Sequence, residues 1–318
     1  MDVVTIGETM ALFTPNEEGM LRHAHSFSMK FGGAESNVAI GLSRLGHRSR
    51  WISRLGEDEF GDAMLSFIRG EGVDVSYVTR DQSAPTGIFF KEFRRLNDTR
   101  VYYYRKDSAA SRMNAEWLQD ESISDAKYLH ITGITPALSS TCREMLEKAI
   151  RIAKGNGKKI VFDPNLRLKI WRGEEEARQL LKKYASESDL VLPGLSEAEF
   201  LFGSCTPEEY VERFHDLGIE TVIMKLGKEG ALISSPSVSM TRIPGFTVER
   251  VVDPVGAGDA FAAGVLSGLL DGKQLEEAVL RGNAIGAMVT MVNGDAEGLP
   301  NRTDLASFLN GGQEDVTR

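Results

Sequence analysis

Short β-branched runs alternate with longer stretches of helical period along most of the chain. Val3-Val-Thr-Ile6, closed by Gly7, reads as a buried strand. Residues 8 to 30 show neither period and read as irregular and polar. His23 and His25 share one face of a surface strand there and lack the further His or Cys that a metal site needs. Phe31 to Gly46 reads as two glycines opening an amphipathic helix that Gly46 closes. Gly87–Phe93 and Arg100–Arg105 are β-rich runs separated by a polar, hairpin-like interruption, with Val101, Tyr103 and Arg105 on one face and Tyr102 and Tyr104 on the other. Ser139–Lys154 has a 3.6-residue period. Predicted strands at Lys159–Asp163, Leu190–Leu192 and Thr221–Lys225 then interleave with helices, one of them starting at Glu174. Ala278–Val292 gives a late helix, and the polar tail 310–318 is expected to fray.

Strands alternating with helices predict an α/β fold: a mainly parallel sheet with helices on both faces. Ligands of such sheets gather at the carboxyl ends of the strands. Arg167, Ser196 with Glu199, Lys225 to Gly230, and Gly256 to Asp259 each follow a predicted strand. No repeat or linker divides the chain, so one domain over 1–318 is expected. The mixed aromatic and charged hairpin suits a half-exposed sheet covering a site.

Composition narrows the function. The 318 residues, 42% hydrophobic, can bury a large core. A net charge of −9 argues against general binding to nucleic acid or an anionic membrane. Cys142 and Cys205 make neither a disulfide framework nor a metal knuckle and suggest a reducing compartment. With no apolar stretch long enough to span a bilayer and no signal-like start, a cytoplasmic protein is expected.

The candidate chemistry lies in Arg250 to Gly264. A short β-branched strand is predicted to meet a turn, and Gly256-Ala257-Gly258 leads into an apolar helix, Ala260 to Leu270. Glycines let backbone N–H groups approach a ligand, and the helix start adds unpaired donors and a positive dipole end, which together make an anion seat. Asp259 at the helix mouth is stabilised as an anion and can accept a proton. A base beside a phosphate seat suggests phosphoryl transfer to a hydroxyl. The bland alternative is a capped helix after a turn. Phe261 in the third small position disfavours a dinucleotide fingerprint, and the P-loop Lys-Ser/Thr pair is missing.

Asp253-Pro-Val-Gly-Ala-Gly-Asp259 resembles the C-terminal signature of the ribokinase-like (PfkB) sugar kinase family, with Pro254 where many members have Thr. Phe31 to Gly46 resembles the same family's N-terminal signature, and Arg54 to Asp62 its V/L-G-x-D-x-x-G turn. The resemblance implies an ATP-dependent carbohydrate kinase using Mg2+. Its anion hole would come from Gly256, Ala257 and Gly258, its base would be Asp259, and a lid of about 8–31 and 85–107 would close over the sugar. Gly33 and Asn37 would line the sugar site. Leu192 to Glu199 is similar to the family's N-x-x-E segment, which organises Mg2+ and phosphate through water, with Glu199 as the glutamate and Ser196 in place of Asn. Ser196 as a helix N-cap with Glu199 as its capping-box partner fits the spacing equally well. Lys225, Gly227 and Gly230 match a turn beside the nucleotide, to which Asn165 and Asn283 are also assigned.

On the acceptor side the resemblance is to the branch that phosphorylates 2-keto-3-deoxygluconate. Arg105 and Arg167 offer planar forks for a carboxylate, Tyr103 adds a hydroxyl, and Asp295 supports the site. Phe89 stands where some members carry a substrate-contacting Tyr. A neutral-sugar kinase such as a fructokinase or ribokinase, a silent sugar-acid sensor on the same fold and, more distantly, an NAD-dependent sugar dehydrogenase remain as alternatives. A homo-oligomer, dimeric or higher, is expected by analogy.

Overall fold

The computed structural model describes residues 1–311 except Glu18, Leu96 and Asn97. The predicted fraying of the tail beyond residue 311 and the centre of the interruption between the two β-rich runs lie outside the described residues. In chain order, β1 (Val3–Ile6), β2 (Met10–Pro15) and β3 (Phe27–Gly32) lead to α1 (Ala34–Arg44), β4 (Ser49–Gly56), α2 (Glu59–Gly70) and β5 (Val78–Asp81). A hairpin of β6 (Ile88–Arg95) and β7 (Asp98–Tyr104) precedes α3 (Glu121–Ser124), β8 (Tyr128–Thr132), α4 (Thr135–Leu138), α5 (Ser140–Gly155) and β9 (Lys159–Asp163). Then come α6 (Glu174–Ser186), β10 (Leu190–Val191), α7 (Leu195–Phe202), α8 (Pro207–Asp216) and β11 (Thr221–Lys225). β12 (Gly230–Ser235), β13 (Val238–Pro244), α9 (Ala257–Leu270), α10 (Leu275–Thr290) and α11 (Arg302–Leu309) complete the order.

The main sheet runs β13-β12-β11-β10-β9-β8-β1-β4-β5. From β5 across to β11 the strands are parallel, whereas β12 and β13 are antiparallel additions at one edge. Strand side chains alternate between two cores, as a doubly covered sheet requires. Val4, Ile160 and Phe162 pack toward α5, α6 and α8, while Val3, Val161 and Ile223 pack toward α1, α9 and α10. The α/β architecture is the one predicted.

A separate sheet runs β3-β2-β6-β7; β6 and β7 fall on the two predicted β-rich runs, whereas β2 and β3 form where the hydropathy pattern suggested irregular chain. Met10 and Leu12 bury one face against Phe89, but Phe27 and Met29 are exposed, so β3 carries no inward stripe for a periodicity reading to find. His23 closes a short 3-10 turn and His25 follows it, both exposed and outside any strand. The strand predicted at Val251-Val252 is absent. Both side chains are exposed, and the N–H groups of Val252 and Asp253 bond to the Thr290 carbonyl at the end of α10 rather than to a strand. The glycine turn thus enters from an irregular run, not directly from a strand.

α9 and α10 form the closest helix pair through small residues. A Cβ built on Gly264 would lie 2.8 Å from the Gly282 Cα, and one on Gly268 only 2.5 Å from the Ala278 Cα. This contact fixes α9, whose first turn carries Asp259, against α10, which carries Asn283. In an exposed helix Gly→Ala would gain up to about 1 kcal/mol. At Gly268 the overpacking cost of about 1–3 kcal/mol opposes and exceeds it. Gly268→Ala is therefore expected to lower the urea midpoint, and a midpoint at or above that of the unaltered protein would show that the helices part freely.

Candidate active site

Two cavities meet at the glycine turn. One of about 510 Å³ lies between the small sheet and the carboxyl ends of the parallel strands, and one of about 310 Å³ lies between the β11–β12 turn and the α9–α10 pair. Lys225, Pro254 and Gly258 line both. Gly256, the residue before α9, adopts φ 81°, a left-handed conformation that a side chain would strain. A Cβ there would also meet the Asp295 carbonyl oxygen at 2.7 Å. Ala257, Gly258 and Asp259 occupy the first turn of α9, where N–H groups have no carbonyl four residues back. Pro254 lies outside that donor set, and its carbonyl closes the turn by accepting from the Ala257 N–H (3.4 Å).

Asp259 is held by neutral donors. Its Oδ2 accepts from Asn37 Nδ2 (2.9 Å) and its Oδ1 from Asn165 Nδ2 (3.3 Å). Withdrawal from water, with Asp163 nearby, pushes its pKa up from 3.8 to about 6, against the lowering effect of the Asn37 bond. Asn165 itself sits in a left-handed conformation, φ 36°, with its N–H bonded to the Asp163 carboxylate (3.1 Å). Such strain persists only where the surroundings over-determine it, and at this site it aims the amide at Asp259.

One face of the β6–β7 hairpin walls the larger cavity with Phe89, Lys91, Val101, Tyr103 and Arg105. The Phe89 and Tyr103 rings stack, with centroids 5.9 Å apart. Gly33 and Asn37, at the start of α1, line the same space. The two arginines differ. Arg105 is buried, its Nε donating to Glu8 Oε2 at 2.6 Å, and Ser108 Oγ donates to the other oxygen of Glu8 at 2.5 Å. Arg167 stands exposed at the cavity mouth, donating to the Leu166 carbonyl (3.3 Å), and among the described residues no carboxylate lies within ion-pair distance of it. Its charge is the one left for a ligand. Asp295 is buried, and its Oδ1 accepts from Lys91 Nζ at 3.2 Å. Sequence spacing alone does not single out Lys91, which lies among the aromatic residues of a lid-like strand. Its period-2 match to Phe89 was the available signal.

On the other side Lys225 Nζ donates to Asp163 Oδ2 at 2.7 Å. Burial works against its charge, but Asp163 and Glu197 more than offset this and raise its pKa. Gly227, Gly230 and Asn283 line the smaller cavity, and Asn283 Nδ2 donates to the carbonyls of Ile243 and Pro244 at 3.3 and 2.9 Å. The segment before α7 is shifted from its expected register. Gly194 is the N-cap and Glu197 its capping partner, accepting from the Gly194 N–H at 2.7 Å and from the Leu166 N–H at 2.9 Å. Ser196 is therefore inside the helix and not its cap, although it lines the larger cavity. Glu199 is exposed and does not line either cavity, whereas Glu197 faces the larger one. The i, i+3 pattern fits both glutamates, and only the true helix start separates them.

Among the described residues no group of three or more acidic, His or Cys side chains could cage a metal ion. Glu197, Asp163 and the Ser196 hydroxyl border one cavity beside Lys225. That sparse donor set suits a divalent ion that keeps its waters and arrives on a ligand's phosphates, as Mg2+ usually does.

The chain is similar in sequence and fold to known proteins. The chain is 44% identical over 310 residues to a 2-dehydro-3-deoxygluconokinase from Bacillus subtilis, covering 97% of this chain and 95% of that protein. It is 34% identical over 312 residues to a 2-dehydro-3-deoxygluconokinase from Thermoproteus tenax, covering 97% and 94%. A ribokinase II candidate from E. coli, solved in complex with ATP and Mg2+, superposes with a TM-score of 0.88 at 27% identity over 97% of this chain and 99% of that one. With the profile of the pfkB family carbohydrate kinases matching residues 1–302, the chain belongs to that family.

Proposed function

We propose that the chain phosphorylates the primary hydroxyl of 2-keto-3-deoxygluconate with ATP, giving 2-keto-3-deoxy-6-phosphogluconate and ADP. The observation that carries the reaction class is the position of Asp259, in the larger cavity next to Gly258, which lines both, and in the first turn of a helix whose N–H groups have no carbonyl four residues back. The sugar acid sits in the larger cavity and ATP in the smaller. The substrate choice is supported by the exposed, unpaired Arg167 and by relatives named for this activity at 44% and 34% identity.

In the reaction the substrate hydroxyl oxygen forms a bond to the γ-phosphorus, the bond from that phosphorus to the bridging oxygen breaks, and ADP leaves. Asp259 Oδ takes the hydroxyl proton. The N–H groups of Gly256, Ala257 and Gly258 hold the transferring group as its charge redistributes. Asn37 and Asn165 aim the base. Lys225 balances phosphate charge, and Gly227, Gly230 and Asn283 shape the nucleotide seat. Arg167 grips the substrate carboxylate, and Arg105, set by Glu8, supports it with Tyr103 over the ring wall of Phe89. Gly33, packed too closely on Glu8 and Thr9 to carry a side chain, borders the sugar with its backbone, and Asp295 flanks it. Mg2+ would supply charge neutralisation on the nucleotide phosphates, and Glu197 and Ser196 would hold its waters.

The small sheet serves as the lid of a single domain, excluding water that would otherwise take the phosphoryl group. Its outer side exposes Phe27, Met29 and Tyr104 at 38%, 44% and 62%, beside the stacked Phe13 and Phe90. We assign that face to a second copy of the chain, and sedimentation should show a dimer or higher assembly that Tyr104→Lys weakens. No helix among the described residues is long and apolar enough to cross a membrane, and a cytoplasmic setting supplies the ATP.

Asp259→Asn should cost about 10²–10⁴-fold in kcat. Because burial raises the pKa of Asp259 to about 6, kcat/KM should fall as pH drops through that value and level off above it. The same upward shift means the ionised carboxylate costs stability at neutral pH, an effect absent below its ordinary value of 3.8. Asp259→Asn should therefore melt higher than the unaltered enzyme at pH 7–8, and turnover that survives the change would remove Asp259 as the base. For Arg167→Ala, loss of a charge-assisted contact of about 1.5–3 kcal/mol predicts a drop of roughly 10–150-fold in kcat/KM on the keto-deoxy acid. Equal losses on fructose, or efficient turnover of fructose by the unaltered enzyme, would overturn the acid-sugar reading.

A further inference from the structure

Lys91 is a lysine that the transfer chemistry does not use, placed where a lysine is costly. Its side chain is 1% exposed on a strand otherwise rich in Phe, and Nζ donates to two carboxylates, Asp253 Oδ2 at 2.8 Å and Asp295 Oδ1 at 3.2 Å. Burial opposes its charge, and the two aspartates more than compensate. An ammonium and two carboxylates taken out of water seldom give net stability over an apolar packing of the same volume, so their retention needs another reason.

The two partners flank the phosphate seat. Asp253 Oδ1 accepts from the Val255 N–H at 3.1 Å, which shapes the entry to the turn, and the Asp253 N–H is tied to Thr290 at the end of α10. Asp295 approaches from the other side. Its carbonyl oxygen lies 2.7 Å from where a Gly256 Cβ would stand, and its Oδ2 lies 2.4 Å from the equivalent point on Gly32. Lys91 itself comes from neither segment but from β6 of the small sheet, one pleat along from Phe89 on the cavity wall. A single ammonium thus joins the sheet that covers the sugar to both flanks of the left-handed turn at Gly256.

We propose that Lys91 is a positioning residue that locks the lid sheet to the phosphate seat, so that the turn donors hold their alignment to the acceptor hydroxyl only with the lid in place. This rests on the phosphoryl-transfer reading above. Lys91 touches neither nucleotide cavity wall nor Asp259, so its effect is on alignment and not on ATP binding.

The test is Lys91→Met, which keeps the stem and removes the charge. At a temperature well below its melting point, kcat should fall about 10²-fold, the cost of a small misplacement of reacting groups. ATP affinity measured by calorimetry should be unchanged. A salt bridge that serves stability alone would lower the melting temperature and leave kcat intact, and that result overturns the proposal, as does a loss seen mainly in ATP affinity. If Lys91→Met does not fold, the comparison moves to Asp253→Asn against Lys91→Met/Asp253→Asn, where one stranded carboxylate is gone and the same criteria apply. Assays of the unaltered enzyme on the keto-deoxy acid and on fructose keep the two readings apart. If only fructose turns over, the substrate assignment fails and the Lys91 comparison is made on fructose.

Discussion

A cavity built to receive a polyanionic nucleotide and an anionic acceptor cannot also hold several bare carboxylates, and the distribution of counter-charges around that constraint organises the site. Glu8 is given Arg105, Asp163 is given Lys225, and Asp295 shares Lys91 with Asp253. Glu197 is satisfied by backbone N–H groups. Asp259 alone among the acidic residues lining the cavity is held by two neutral amides, Asn37 and Asn165. A guanidinium or ammonium in place of those amides would hold its carboxyl low and make it a poor base. The selective pairing of its neighbours leaves Asp259 without a cationic partner and with its pKa pushed up to about 6, in the range a general base needs.

The scaffold that keeps these distances is the parallel sheet with its two cores. β9 and β11 end side by side across β10, which brings Asp163 to Lys225 although they are 62 residues apart. α9 reaches the same point from the opposite layer, and its close approach to α10 at Gly264 and Gly268 leaves little freedom for the first turn to drift. The segment with the least support from the main sheet is the irregular run before the glycine turn. It is there that Asp253 takes up its contact with the small sheet, while Asp295 makes its own from the turn after α10. The geometry of the site is therefore held by helix packing below and by a buried ion cluster above.

The substrate side shows how context divides two residues of the same type. Arg105 and Arg167 look equivalent as candidate carboxylate forks, but Glu8 neutralises the first inside the wall and leaves the second charged at the mouth. Glu8 lies 97 residues from Arg105, in a stretch whose polarity resembled an ordinary loop. Glu197 and Glu199 divide in the same way, one turned to the cavity and one to solvent, by the position of a helix start that spacing alone could not fix. Lys91 was hidden for a related reason, since a charged residue among aromatics on an exposed-looking hairpin gives no sign of two carboxylates waiting more than 160 residues away.

What the sequence determined by itself was whatever depends on local order. Alternating strands and helices set the α/β class, and Gly256 to Asp259 set a helix start with free donors and an acid at its mouth, because helix geometry follows from neighbours along the chain. The period-2 pattern placed Val101, Tyr103 and Arg105 together, and all three line the cavity. Tertiary structure decided what depends on distant segments meeting. It set the addition of β2 and β3 to the small sheet, the absence of a strand at Val251-Val252, the partner of each charge and the basicity of Asp259. The physical reason is that hydrogen-bonded turns are fixed by residues a few positions apart, whereas burial and Coulomb interaction depend on separation in space, which only the folded chain defines.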